Sequence, residues 1–221
     1  MMMKTNSEIR KTARMALDGK WGTFVLLTLV LYVVSLFTAL PGQLVEALVK
    51  ADVMVGLGAM LTSFGLVLTL LMLPLSWGYV VSLLRNHRGG SVEISNLFDG
   101  FRQYGRVWFT VFLTGLYTFL WTLLLIVPGI VKACSYGMTN YVLYDNPELS
   151  GDAAIERSMA MMEGHKMQFF LLGLSFIGWA ILSLFTLCIG FLWLVPYVQA
   201  SMAAFYEEVK AEYEAKTGVV S

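Results

Sequence analysis

The sequence predicts an all-α fold, a polytopic membrane bundle of about six transmembrane helices. Charged residues make up 14% of the chain and hydrophobic residues 57%, whereas soluble domains average about 25% charged residues. The charges lie between apolar runs, and several of these runs reach the roughly 17–25 residues that span a bilayer. The net charge of zero shows no basic footprint for nucleic acid. Membrane lipids are the expected partners of a chain this apolar.

Residues 1–221 fit a single membrane domain. An interfacial amphipathic helix is predicted first, at 5–19, because a capping-box pattern, Thr-x-x-Glu, precedes apolar residues at helical spacing. A second such helix is predicted at 150–163, and a short amphipathic piece at 95–101 would be a third. The spans are predicted at about residues 21–40, 55–84, 107–127, 130–144, 167–185 and 190–206.

The fourth span, 130–144, is the shortest and the most polar, so a re-entrant segment is the alternative to a full crossing. Proline lacks the helical hydrogen-bond donor and predicts a break or a kink inside an apolar run. Breaks are therefore predicted at Pro74, at Pro128 with Gly129, and at Pro196. Broken helices often mark binding sites in transporters, and the alternative is a kink without a function.

The distribution of Lys and Arg predicts that both termini are cytoplasmic. With six spans and the N-terminus inside, thirteen of the fifteen basic residues face the cytoplasm, while Lys50 faces outside and Lys132 lies within a span. The inverted arrangement would place the same thirteen outside. They are Lys4, Arg10, Lys11, Arg14, Lys20, Arg85, Arg88, Arg102, Arg106, Arg157, Lys166, Lys210 and Lys216.

A short pattern occurs three times in the sequence. In each case an amphipathic segment is followed by a glycine, a basic residue and a span that has an aromatic residue at or near its start. The instances are Gly19-Lys20-Trp21, Gly105-Arg106-Val107-Trp108 and Gly164-His165-Lys166-Met167-Gln168-Phe169. Each opens a pair of spans, which predicts three hairpins of related design. The alternative is that any interfacial helix ends in this way, with glycine as its cap and a basic residue at the headgroups.

Lys132 is the strongest candidate for a ligand-binding residue. A cation at membrane depth costs about 2.5–3.5 kcal/mol on insertion scales and by default indicates a function. On a helix, Tyr136, Thr139 and Asn140 would share its face. That face could bind a phosphate headgroup or line a cavity. The alternative is that Lys132 extends to the outer interface.

Two further polar residues, Gln199 and Ser201, follow Pro196 in the last span. A position facing the bundle interior would make them ligand-facing. A lipid-facing or backbone-bonded position is the alternative.

Small and hydroxyl side chains form stripes along two spans. Small residues let helices approach closely, so helix packing is the expected role, and the lining of a polar pathway is the alternative. The stripes are Gly58, Thr62, Gly65 and Thr69 in the second span, and Thr110, Thr114, Thr118 and Thr122 in the third.

The sequence contains no recognisable motif for catalysis. It has no G-x-S-x-G, H-E-x-x-H, P-loop or C-x-x-C. His87 and His165 are far apart and lack neighbouring ligand-type residues, so we expect neither a metal nor another cofactor. The expectation is therefore that this protein is not an enzyme.

Four parts of the sequence together resemble a bacterial family of multi-spanning membrane proteins. They are the stretch Leu123–Pro147, the helix that ends in Gly164-His165-Lys166, the segment Leu97-Phe98-Asp99-Gly100-Phe101, and Leu192–Tyr197. That family is known only as a domain of unknown function, number 975. The membrane domain found fused to some glycerophosphodiester phosphodiesterases is more distantly similar. The phosphodiesterase domain itself is not in this sequence, so that hydrolysis is not implied. The resemblance implies a bacterial plasma (inner) membrane location and supplies no catalytic residues.

Two classes of function follow from these features. The favoured hypothesis is a non-enzymatic transport or lipid- and amphiphile-handling protein, motivated by Lys132, its polar span and the predicted breaks. The alternative is an accessory or scaffold protein that binds another membrane protein or forms a homo-oligomer. The small-residue stripes and the lack of a strongly polar pathway motivate this alternative.

Overall fold

The computed structural model describes residues 3–50, 55–186 and 188–218, which are helical with no strand. The all-α fold class is therefore confirmed. The long helices are α2 (Trp21–Lys50), α3 (Val55–His87), α5 (Tyr104–Leu124) and α11 (Phe191–Thr217). The shorter ones are α1 (Asn6–Leu17), α4 (Asp99–Arg102), α6 (Ile126–Tyr136), α7 (Thr139–Asp145), α8 (Gly151–Met161), α9 (Lys166–Leu174), α10 (Ile177–Phe185) and a 3₁₀ turn at Ile94–Phe98.

Within the described residues, three helical stretches are long and apolar enough to cross a membrane: Met60–His87, Tyr104–Leu124 and Lys166–Phe185. A bent pair, Asn6–Leu17 and Trp21–Leu36, would make four, its two helices meeting at 94°. The fourth predicted span is divided between α6 and α7, which have 11 and 7 residues. Neither reaches the roughly 20 residues of a straight crossing. The number six therefore stays a prediction.

The prolines do not interrupt the helices as predicted. α3 continues through Pro74 and α11 through Pro196, as neighbouring helices often allow in membrane proteins. The interruption near Pro128 lies earlier, at the extended residue Leu125, and Pro128 itself falls in the first turn of α6. In a first turn the missing N–H has no helical partner to lose, so proline is tolerated there.

Over its described residues, the chain folds into three antiparallel helical hairpins. Hairpin 1 is formed by α2 and α3, hairpin 2 by α5 with α6 and α7, and hairpin 3 by α9 and α10 with α11. In hairpin 1, Lys20 contacts Asn86 and Thr28 contacts Tyr79, so the two helices run in opposite directions. The corresponding pairs are Arg106 with Leu143 and Tyr117 with Tyr136 in hairpin 2, and Phe169 with Phe205 and Phe176 with Tyr197 in hairpin 3.

All three hairpins begin and end at one end of the molecule, here named the polar end. There α1, α8 and the second half of α11 pack against the bases of the hairpins. The apolar residues Ile9, Ala13 and Leu17 of α1 are at most 1% exposed. The predicted interfacial helices therefore bury their apolar sides in the protein. α11 makes this possible because it continues to Thr217, well beyond the predicted end of the last span.

The part of the hairpins away from the polar end, here named the outer half, is mostly exposed. Only 17% of the apolar stretch of α5 is buried, and the same fraction holds for the stretch formed by α9 and α10. Leu123 is 73% exposed and Phe185 is 82% exposed. Apolar patches of this extent indicate contact with lipid or with another protein.

Candidate functional site

Asp145 lies at the centre of an ion-pair cluster that joins all three hairpins. Both Nη atoms of Arg88, at the end of hairpin 1, donate to its carboxylate at 2.7 Å. From hairpin 3, the Tyr206 hydroxyl donates at 2.8 Å and the Lys210 ammonium at 2.7 Å. Arg88 also contacts Glu207. These five residues are named the Asp145 cluster.

The electrostatics of the Asp145 cluster favour a structural role. The side chain of Asp145 is 4% exposed. Burial pushes the pKa of its carboxyl upward, but the hydrogen bonds from Arg88, Lys210 and Tyr206 outweigh this and hold the pKa below its usual value. Because protein groups occupy the carboxylate, little of it remains for a substrate.

Other basic residues of the polar end bind to the ends of helices. The Arg106 guanidinium donates to the backbone carbonyls of Leu143, Asn146 and Leu149, at distances between 2.6 and 3.0 Å. These carbonyls lie at and beyond the end of α7, where a helix has no backbone donors for them. Lys20 similarly donates to the side chain of Asn86. Basic residues that the sequence predicts on the cytoplasmic side therefore also connect the hairpins to one another.

The structure brings Lys132 and Tyr136 to the same face of α5. The Lys132 ammonium lies 5.0 Å from the centre of the Trp121 ring and 3.9 Å from the sulfur of Met159. The Tyr136 ring lies 6.4 Å from that of Tyr117. In the described part of the chain, Lys132 forms no ion pair with a carboxylate. Its environment is a cation–π contact rather than a lined cavity.

The other four predicted ligand-facing residues do not join Lys132 in one site. Thr139 is 1% exposed, and its hydroxyl has no hydrogen-bond partner among the described residues. Asn140 is half-buried in α7. Gln199 lines a separate apolar groove between α10 and α11. Ser201 is fully buried and donates to the Tyr197 carbonyl, which is the backbone-bonded alternative.

The threonine stripe of α5 lies partly at helix contacts. Each of its hydroxyls donates to the carbonyl one turn earlier, so none is left unsatisfied. Thr110 packs against Gly151 of α8, and Thr122 packs against Gly129 of α6. In α3, Gly65 is buried and accepts a hydrogen bond from Thr69, whereas Thr62 is exposed. Gly58 lies in α3, outside the residues whose surroundings are described.

A lateral groove runs between the start of hairpin 1 and the outer part of hairpin 3. It is lined by Arg14, Trp21, Trp179, Trp193 and Tyr197, together with smaller residues of the α10–α11 turn, and has a volume of about 270 Å³. This lies just below the roughly 300–1,000 Å³ of typical small-molecule sites. The groove is thus large enough for part of one acyl chain or a similar slender group.

The groove has a basic end and an apolar end. The Arg14 guanidinium lies 5.9 Å from the centre of the Tyr197 ring, next to the polar end. Trp179 and Trp193 lie farther from the polar end, toward the turn between α10 and α11, and are about half exposed, at 50% and 49%. Such a gradient matches a molecule with an anionic or polar head and an apolar tail.

The sequence alone did not identify the groove or the Asp145 cluster. Trp179 and Trp193 stand fourteen positions apart in separate helices, and only the hairpin turn brings them together. One signal for the groove was available in the sequence, namely a tryptophan on each side of the turn predicted between the last two spans. Asp145 directly follows an apolar segment and resembles any interfacial acid in the sequence.

Among the described residues, no three His, Cys, Asp or Glu side chains gather as metal ligands. His165 instead lies 3.3 Å from Glu212 at the polar end. Neither a curated protein nor a solved structure matches this chain. The more distant similarity to the phosphodiesterase-linked membrane domain therefore has no support beyond the sequence. Residues 2–138 and 123–213 both match the family described as protein of unknown function (DUF975), and because they cover nearly the whole chain, it belongs to that family.

Proposed function

We propose that this chain is an integral protein of the bacterial plasma (inner) membrane and that it binds a membrane lipid or similar amphiphile in the lateral groove. Its polar end, with both termini, faces the cytoplasm, in line with the excess of Lys and Arg there. It is a binding or lipid-handling protein rather than an enzyme. The observation that carries the proposal is the groove itself, which is open to the side, has a basic end and is otherwise aromatic and apolar.

The packing of the polar end favours entry from the side over passage through the bundle. The large side chains of Met162, Leu143, Phe205 and Tyr206 are at most 1% exposed there. They fill the space between the three hairpins, which a transport pathway along the bundle axis would need. An amphiphile that diffuses in the bilayer would reach the lateral groove without crossing this packed layer.

Native mass spectrometry of the protein released from nanodiscs made of its own membranes tests the proposal. We expect a retained amphiphile on the wild-type chain and its loss in Trp193→Ala. The matched control is Trp108→Ala, which removes a tryptophan stacked on Phe112 in hairpin 2, away from the groove. A bare wild-type protein, or equal retention in both variants, would contradict binding in the groove.

The same experiment with Lys132→Ala separates the groove from the site that the sequence favoured. Lys132 is not among the residues that line the groove. We therefore expect Lys132→Ala to retain the amphiphile. Its loss in this variant, with retention in Trp193→Ala, would move the binding site to hairpin 2.

A scaffold role is the second candidate, and the exposed outer half of hairpin 2 favours it. Phe112, Leu116, Phe119 and Leu120 form one exposed apolar side of α5. That side suits a neighbouring membrane helix as well as lipid. Co-purification from native membranes discriminates between the two candidates, because a partner protein or a second copy in fixed stoichiometry would favour the scaffold, and its absence would count against it.

A further inference from the structure

A polar pocket lies beside the segment that connects hairpin 1 to hairpin 2. It is formed by Arg85 of α3 together with Ser95, Asn96, Asp99 and Arg102 of the connecting segment, and Phe98 closes one side. Its volume is about 510 Å³, within the roughly 300–1,000 Å³ of small-molecule sites. In contrast to the lateral groove, its lining is mainly polar.

The charges of this pocket leave one arginine unpaired. Arg85 donates to Asp99 at 2.9 Å, and this pair offsets one positive charge. Arg102 has no carboxylate partner within the described chain. The nearby carboxylate of Glu93 is not part of the lining and accepts a hydrogen bond from Ser95. The residues that line the pocket therefore carry a net positive charge, with two guanidinium groups within one cavity.

The backbone that forms the pocket is held firmly against α3. Leu97 is fully buried, and its carbonyl lies so close to Gly78 that a methyl group at Gly78 would overlap it. Gly100 approaches the carbonyl of Pro74 in the same way. The side-chain oxygen of Asn96 accepts from the backbone of Glu93, at 2.8 Å. The backbone that carries the donors of the pocket is thus in place before any ligand arrives, which lowers the entropic cost of binding.

A row of exposed aromatic rings adjoins the pocket. Phe98 is 54% exposed and Phe101 is 37% exposed, and their ring centres are 6.1 Å apart. Tyr104 continues the row at 6.2 Å from Phe101, and Ile94 is 44% exposed. Aromatic rings beside basic residues are typical of the level at which lipid headgroups meet acyl chains. This second observation indicates what kind of anion reaches the pocket.

We propose that this pocket binds the phosphate headgroup of an anionic phospholipid. Arg102 and Arg85 contact the phosphate, because the planar fork of arginine matches phosphate oxygens. The side-chain amide of Asn96 donates to the rest of the headgroup, and Phe98 and Phe101 contact the upper acyl chains. The proposal rests on the membrane placement proposed above, but it does not depend on the lateral groove.

The test uses the purified full chain in detergent and measures lipid binding by native mass spectrometry. Dioctanoyl phosphatidylglycerol is the anionic probe, and dioctanoyl phosphatidylcholine is the zwitterionic control. We expect the wild-type protein to prefer phosphatidylglycerol and Arg102→Gln to lower its affinity about tenfold, since one charge-assisted hydrogen bond is removed. Arg102 has no ion pair to lose, so this variant should fold normally.

The matched control is Arg10→Gln, which removes an arginine from α1 that also forms no ion pair in the described chain. It should bind phosphatidylglycerol as the wild type does. Asp99→Asn should raise the affinity, because it removes the carboxylate that competes with the phosphate for Arg85. Equal binding of the two lipids, or equal effects of Arg102→Gln and Arg10→Gln, would overturn the proposal.

Phe98→Ala separates a lipid headgroup from free phosphate. If the ligand is a lipid, this variant should weaken phosphatidylglycerol binding, and millimolar inorganic phosphate should compete poorly. Full competition by inorganic phosphate, with no effect of Phe98→Ala, would assign the pocket to a soluble phosphate instead. Trp193→Ala should leave binding at this pocket unchanged, so failure of the lateral groove and failure of this site are distinguishable.

Discussion

Different interactions stabilise the helix packing in the polar end and in the outer half of this molecule. At the polar end, helices of all three hairpins meet through buried side chains and through the ion pairs of the Asp145 cluster. In the outer half, residues such as Leu123 and Phe185 are left exposed although they are as apolar as any in the core. The membrane placement proposed above accounts for this difference, because water drives the burial of apolar surface whereas lipid provides no such driving force between helices.

This comparison indicates which part of the molecule contributes most to the free energy of unfolding. Substitutions at the polar end should change the free energy of unfolding, whereas substitutions of exposed residues in the outer half should mainly change membrane insertion. The following predictions test this division, beginning with the largest expected effect.

Asp145→Asn should be the most destabilising of these changes. It removes the charge that Arg88 and Lys210 share inside the protein and leaves two partly buried cations with weaker partners. Breaking a buried ion pair in this way costs about 3 kcal/mol. Thermal unfolding in detergent measures the change, and Asp99→Asn is the control. The Arg85–Asp99 pair is more exposed, so its loss should cost about 1 kcal/mol or less.

The stabilisation by Asp145 should also depend on pH. Its pKa is lower in the folded protein than in the unfolded chain, so the contribution is complete above about pH 4 and is lost as the pH falls through the lowered folded pKa. The difference in stability between the wild type and Asp145→Asn should therefore shrink below about pH 4. A difference that stays constant to pH 2 would contradict the role given to this carboxylate.

Leu116→Lys should impair membrane insertion with little effect on packing. Leu116 is 38% exposed on α5 in the outer half, and a lysine at membrane depth costs about 2.5–3.5 kcal/mol on insertion scales. Met15→Lys is the control, because Met15 is 60% exposed on α1 at the polar end. The membrane-inserted fraction after expression measures both. Equal insertion of the two variants would show that α5 does not lie in the bilayer.

Gly78→Ala should destabilise the junction between α3 and the connecting segment. A methyl group at Gly78 overlaps the backbone of Asn96 and Leu97, which cannot move aside without shifting the segment. Overpacking of this kind costs about 1–3 kcal/mol. Gly22→Ala in the same hairpin meets no atom within 4 Å, so it should be neutral or slightly stabilising. Chemical unfolding of the two variants gives the comparison.

Thr118→Ala should have the smallest effect, below about 0.5 kcal/mol. Its hydroxyl only donates back to the carbonyl of Thr114 in its own helix. The packing contacts of the stripe lie at Thr110 and Thr122, near its two ends. A large loss of stability or of ligand binding in Thr118→Ala would favour the polar-pathway alternative for this stripe.

The placement of Lys132 shows how far sequence reasoning could go. Helical spacing correctly puts Lys132 and Tyr136 on one side of α6, because that relation depends on a single helix. The break between α6 and α7 then separates them from Thr139 and Asn140, and no periodicity reveals such a break. The contact of Lys132 with Trp121 depends on how α5 and α6 pack, which hydropathy does not determine.

The sequence by itself determined the helical class, the capping box at Thr5 and Glu8, and the grouping of basic residues around three hairpins. These features depend on hydropathy, charge and hydrogen bonds between residues close in the chain. Only the tertiary structure decided that α1 and α8 bury their apolar faces in the protein, that Asp145 joins three hairpins, and that Trp179 and Trp193 line one groove. Each of these depends on surfaces that meet only when distant helices dock, so no local pattern encodes them.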